Sequence, residues 1–116
     1  MAIGIASLTF DTTDPEALAG WWAERFGAAI TANMDGFFLL VAGGDLPTQL
    51  AFQKVDDPTP GKNKVHLDIH TDDDLDAEVA RWTDAGATSL GTRNAGDFSW
   101  VTLTDPDGNE FCIAAG

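Results

Sequence analysis

The punctuation of this chain repeats. Asp14-Pro15 opens a helix: aspartate serves as an N-cap, and proline suits the first helical position, where its missing N–H is no loss. Leu18, Trp21, Trp22 and Phe26 follow at helical spacing as one apolar stripe, and Gly27 stops the run. Gly86, 59 positions later, closes a second helix over 75–85 with Leu75, Val79 and Trp82 inward. A strand candidate precedes each helix, at 3–9 and 64–70, and three follow each, at about 28–33, 36–42 and 49–55, then 88–92, 98–104 and 109–114. Each half reads strand, helix, strand, strand, strand. The same offset pairs Leu67 with Leu8, Ile69 with Phe10, His66 with Ser7 and Cys112 with Gln53, the signature of an internal duplication.

This repeat constrains the fold to one α+β domain of two βαβββ modules, the first at about 1–56 and the second at about 63–116. The stretch between them, about 57–62, carries two prolines and a glycine that cannot continue a central strand. Each sheet buries the side that meets its helix. Leu8, Phe10, Phe52, Val65, Leu67, Phe111 and Ile113 alternate onto that side. The opposite face is free to curve around a cavity, as two half-barrels of mixed sheet with helices outside. Onto it fall Ser7, Gln53, His66, Asp68, Trp100, Thr102, Glu110 and Cys112, polar groups with an aromatic among them, which is how ligand pockets are usually lined.

Composition narrows the function. Net charge is −13, from 19 acidic and 6 basic residues, a field that repels phosphate backbones and attracts cationic small molecules. Nucleic acid is therefore excluded as a partner. No apolar run approaches the roughly 20 residues a membrane helix needs. MAIGIASLTF has no basic stretch before its apolar part, so a cytoplasmic protein is expected. A single cysteine rules out an internal disulfide.

The closing stretch, Val101 to Gly116, joins two strands through Asp105-Pro106-Asp107-Gly108, a turn in which proline presets φ and glycine supplies a positive one. DPDGNEF there, the Asp-Pro helix start with paired tryptophans at 14–27, LAFQKV at 50–55 and HLDIHTDD at 66–73 together resemble the vicinal oxygen chelate superfamily. That group includes glyoxalase I, bleomycin- and fosfomycin-resistance proteins and extradiol dioxygenases. The likeness is strongest to its actinobacterial glyoxalase-like branch. It implies metal-ligand positions on the first and last strand of each module, here Ser7, Gln53, His66 and Cys112. His66 suits that role, Gln53 is neutral, and serine is a poor ligand. Cys112 stands where the DPDG-x-x-x-Glu pattern has its glutamate, and Glu110 comes two residues early.

The reading is a small-molecule-binding protein without an intact metal centre, of the bleomycin-resistance type, sequestering a cationic aromatic ligand. Ser7, Gln53, His66, Trp100, Thr102, Glu110 and Cys112 are the expected ligand contacts, with Trp100 as the stacking and cation–π surface. No cofactor is expected. The alternatives are a divalent-metal lyase or isomerase using His66, Gln53, Glu110 and Cys112, and a metal-independent enzyme with Glu110 or His66 as base. The resemblance also implies a homodimer.

Overall fold

Hydrogen bonding to a partner strand decides where the first strand starts. In the computed structural model, which describes residues 2–116, β1 is Ser7–Thr12 and lies parallel to β4, Gln49–Lys54, with Ser7 opposite Gln49 and Thr12 opposite Lys54. Residues before Ser7 precede the first partner in β4. Ile3 and Ile5 are accordingly exposed, and the expected strand at 3–9 is displaced toward the helix.

The Thr12 hydroxyl accepts from Asp14 N, and Asp14 Oδ1 accepts from Ala17 N, which sets the start of helix α1, Pro15–Phe26. Leu18, Ala19, Trp22 and Ala23 are its buried face. Trp22 packs at a tilt against Phe10, whose ring stacks on that of Phe52 at 5.0 Å. Gly27 ends the helix at φ 61°, a left-handed conformation that costs a glycine little. Strands β2 (Ala29–Met34) and β3 (Phe38–Ala42) complete a mixed sheet of order β1-β4-β3-β2.

The chain forms two compact units, the first ending at Thr59 and the second running Pro60–Gly116. The second repeats the plan. Strand β5 (Asp68–Thr71), helix α2 (Leu75–Asp84), β6 (Thr88–Ala95), β7 (Phe98–Thr104) and β8 (Glu110–Ala115) give a sheet of order β5-β8-β7-β6. The fold is thus α+β, two βαβββ modules with a four-stranded mixed sheet each. The Thr71 hydroxyl accepts from Asp73 N, as Thr12 does in the first module. Trp82 seals α2 onto the sheet, its ring 5.1 Å from that of Phe111, over Val101, Leu103 and Ile113.

Strand β5 is shorter than the expected 64–70. A side chain explains this. Asn63 Oδ1 accepts from Glu110 N at 2.7 Å, and its Nδ2 donates to Glu110 O at 2.9 Å, so a strand's ladder groups are replaced by an amide. The stretch from Asn63 to Leu67 therefore runs beside β8 as an irregular strap, returning to regular pairing near Cys112 N, which donates to Leu67 O. Val65 does not face the helix, as the alternation had it, but is 77% exposed.

Candidate functional site

A cleft lies on the face of the second sheet turned away from α2. On β7, Val101 and Leu103 are buried against the core, so Trp100 and Thr102 take the other side. The register then aligns residues across strands. Thr102 is opposite Cys112, and Cys112 is opposite Asp68. One step along, Trp100 is opposite both Ala114 and Arg93. Glu110 sits at the start of β8, and the strap brings Lys62 and His66 to the same opening. These residues, with Phe98, line a cleft of about 660 Å³. The rings of Phe98 and Trp100 lie 5.7 Å apart and form its aromatic wall.

The polar groups converge at its β5 edge. His66 Nε2 is 3.2 Å from Asp68 Oδ1. Thr102 Oγ1 and Cys112 Sγ are 3.6 Å apart, a weak thiol–hydroxyl contact. His66, Asp68 and Cys112 each offer one donor atom, all within 4.8 Å of one another. Glu110 does not join this group among the described residues.

Of the expected contacts, His66, Trp100, Thr102, Glu110 and Cys112 come together in the second unit. Ser7 and Gln53 belong to the first unit. There Ser7 is opposite Gln49, whereas Gln53 is opposite Asp11, so they are not cross-strand neighbours. The constant offset of 59 also fails in the later strands. Val55 N donates to Thr12 O, and Gly116 N donates to Thr71 O. Thr12 and Thr71 keep the offset of 59, but Val55 and Gly116 are 61 apart. Cys112 therefore corresponds to Ala51, and Gln53 to Ala114.

Two length changes set the shift: the β6–β7 hairpin raises the offset from 59 to 62, and a β7–β8 connection one residue shorter than its counterpart returns it to 61. Both modules carry a bulge at the same place, between Ile30 and Ala32 and between Ser89 and Gly91, where the offset is still 59. Beyond it, the first hairpin ends at the Met34–Phe38 pair. The second continues past the matching Arg93–Trp100 pair to Ala95–Phe98. That added length supplies Phe98 to the aromatic wall. Asp68 was visible as a cleft-facing residue, two positions from His66 in alternation, but not as its partner. Arg93 and Lys62 carried no periodic signal, and nothing local marks Asn63 as the clamp on Glu110.

Fold and cleft together define a glyoxalase-like domain of the vicinal oxygen chelate superfamily: the glyoxalase-like domain family matches residues 7–114, and the chain belongs to it. No curated protein matches the sequence. Among solved structures, the chain is similar to a glyoxalase/bleomycin resistance protein/dioxygenase family enzyme from Burkholderia phytofirmans, at 22% identity and TM-score 0.77, covering 95% of this chain and 96% of that one. A glyoxalase-related enzyme from Fulvimarina pelagi is 21% identical with TM-score 0.74, over 97% and 88% of the two chains. A variant of the fosfomycin resistance protein FosX from Listeria monocytogenes, in complex with manganese(II) and a dihydroxypropylphosphonic acid, is 15% identical with TM-score 0.79, over 100% and 92%. These likenesses establish the shared fold. Among the described residues, no helix is long and apolar enough to cross a membrane.

Proposed function

We propose that this protein binds a basic aromatic small molecule in the cleft of its second module. The observation that carries the reading is the joint lining of one cleft by the Phe98–Trp100 wall and the carboxylates of Asp68 and Glu110. A flat ring stacks on the wall, and its ammonium or amidinium group is drawn to the carboxylates and to the ring faces. The overall charge of −13 concentrates cations near the surface and adds to the attraction. Thr102, buried on the cleft floor, contributes a hydroxyl for orientation. Titration calorimetry with benzylamine and larger basic aromatics, in metal-free buffer, tests this. Saturable binding that Trp100→Ala weakens at least tenfold supports it, and no binding across the set contradicts it. Exposed Met34 and Phe37 are in keeping with a homodimer, which sedimentation at low concentration tests.

A second reading rests on a separate observation, the convergence of His66, Asp68 and Cys112. Imidazole, carboxylate and thiolate suit zinc, which takes N, O and S ligands tetrahedrally, and three protein donors leave a fourth position open. The same set suits magnesium or manganese poorly, since those ions prefer all-oxygen shells. A zinc ion held there would supply Lewis-acid polarisation of a ligand oxygen. In either reading the cleft walls act on the ligand in the same way. Trp100 and Phe98 orient the ligand, and Thr102 and Glu110 offer hydrogen bonds; in the metal-free reading Asp68 also holds the imidazole of His66 in place.

A further inference from the structure

The cleft holds opposite charges at opposite sides of its sheet, and this sharpens the ligand class. Gly91, Thr102, Cys112 and Asp68 form one line across β6, β7, β8 and β5. At its β5 end stand the Asp68 carboxylate and His66. At its β6 end stands a guanidinium. Arg93 is two residues on from Gly91 along β6, and its side chain folds back over that glycine: Nη1 donates to Leu90 O at 3.3 Å, and a Cβ on Gly91 would lie 3.5 Å from Nη1. That is ordinary van der Waals distance, so the glycine is required by its φ of 110° rather than by the arginine. Three strand spacings, roughly 14 Å of backbone, separate the two edges. Trp100 is the direct cross-strand neighbour of Arg93, and rotation of the long arginine side chain away from Leu90 O would carry its guanidinium over that ring toward the acidic side. Lys62, next to Asn63 in sequence, also lines the cleft and adds a second positive charge to it.

We propose that the ligand is bipolar: a flat ring with a basic group at one end and an anionic group, carboxylate or phosphonate, at the other. The ring lies on Trp100, the basic group meets Asp68 and Glu110, and Arg93 takes the anion. A guanidinium offers two parallel donors matched to a carboxylate, so the anionic end adds both affinity and orientation. This rests on the binding reading above and adds a requirement to it.

The test compares 4-(aminomethyl)benzoate, benzylamine and benzoate by NMR titration of the protein and of its Arg93→Gln and Arg93→Lys variants, after thermal melting confirms that both fold. The bipolar compound is expected to bind the native protein at least tenfold more tightly than benzylamine. In Arg93→Gln that advantage falls to less than threefold, and Arg93→Lys recovers part of it. Benzylamine binding the native protein as tightly as the bipolar compound would overturn the inference while leaving the binding reading intact. An advantage that persists in Arg93→Gln overturns the role of Arg93. Failure of every amine to bind overturns both.

Discussion

Asn63 grips the backbone of Glu110 from both sides, accepting from its N–H at 2.7 Å and donating to its carbonyl at 2.9 Å, across 47 positions of sequence. The same amide donates to Val65 O at 2.7 Å. One side chain thereby fixes the strap that carries Lys62 and His66 to the strand that carries Glu110 and Cys112.

Replacing Asn63 by alanine leaves the half-buried Glu110 N–H without this acceptor, a loss of roughly 1–3 kcal/mol for an unsatisfied buried group. Urea denaturation of Asn63→Ala measures it. The strap loosens as well, so benzylamine affinity falls in the same variant. Asn63→Asp keeps an acceptor for Glu110 N–H but sets a carboxylate oxygen against the carbonyls of Glu110 and Val65, so it is expected to lose at least as much stability.

The turn at the end of β7 depends on a buried carboxylate. Asp105, 3% exposed, accepts from Asp107 N and Asn109 N through Oδ1 and from Asn109 Nδ2 through Oδ2. Gly108 N closes the turn on Asp105 O with a φ of 88° at the glycine. Asp105→Ala removes the acceptor of three donors at once and is expected to cost about 2–4 kcal/mol. A lowered melting temperature with retained far-UV dichroism is the expected signature.

Acid stability has an identifiable contributor on α2. The Arg81 guanidinium, first of all, holds the Glu78 carboxyl below its ordinary value of 4.5; the Thr71 hydroxyl and the Trp82 indole N–H act in the same direction, and partial burial opposes them. In the pH window between the lowered value and the ordinary one, the unfolded chain binds more protons than the folded protein. Stability from this group is therefore complete above the ordinary value and is lost as pH falls through the lowered one. Melting curves of Glu78→Gln are expected to lose stability near neutral pH and to show a shallower decline below pH 4.5 than the native protein.

Much of this architecture was legible in the sequence because it rests on local chemistry. Asp14-Pro15 and Gly27 bound α1, strand 98–104 was read at its observed limits, and the DPDG turn behaves as its residues dictate. The misses are non-local. The starts of β1 and β5 depend on where β4 and β8 offer partners, and the strap depends on an asparagine 47 positions from its target. The repeat offset drifts from 59 to 61 because the second hairpin is three residues longer and the β7–β8 connection one shorter, which no identity between modules reveals. Alternation puts Trp100, Thr102, Cys112 and His66 on the face that lines the cleft. It does not single out Arg93 or Lys62, since a charged residue near an edge looks the same whether it lines a cleft or meets solvent.

The cluster at the β5 edge makes a metal experiment decisive for the second reading. If His66, Asp68 and Cys112 hold zinc, protein dialysed against zinc and then washed retains one equivalent, and Cys112→Ser and His66→Ala each lose it, measured by elemental analysis. Cobalt(II) substitution adds a thiolate charge-transfer band that Cys112→Ser abolishes. Retention of less than a tenth of an equivalent by the native protein counts against the site.

The most direct test of the cleft itself is the indole N–H resonance of Trp100 during titration with benzylamine. Trp82, whose indole N–H is held by Glu78 at 3.0 Å under the opposite side of the sheet, serves as the internal reference. A ligand seated on Trp100 gives a saturable shift of the Trp100 resonance, assigned by its disappearance in Trp100→Phe, with Trp82 unmoved. Saturable binding that leaves Trp100 unshifted, or that moves Trp21 or Trp22 instead, would contradict the placement of the ligand in the second module.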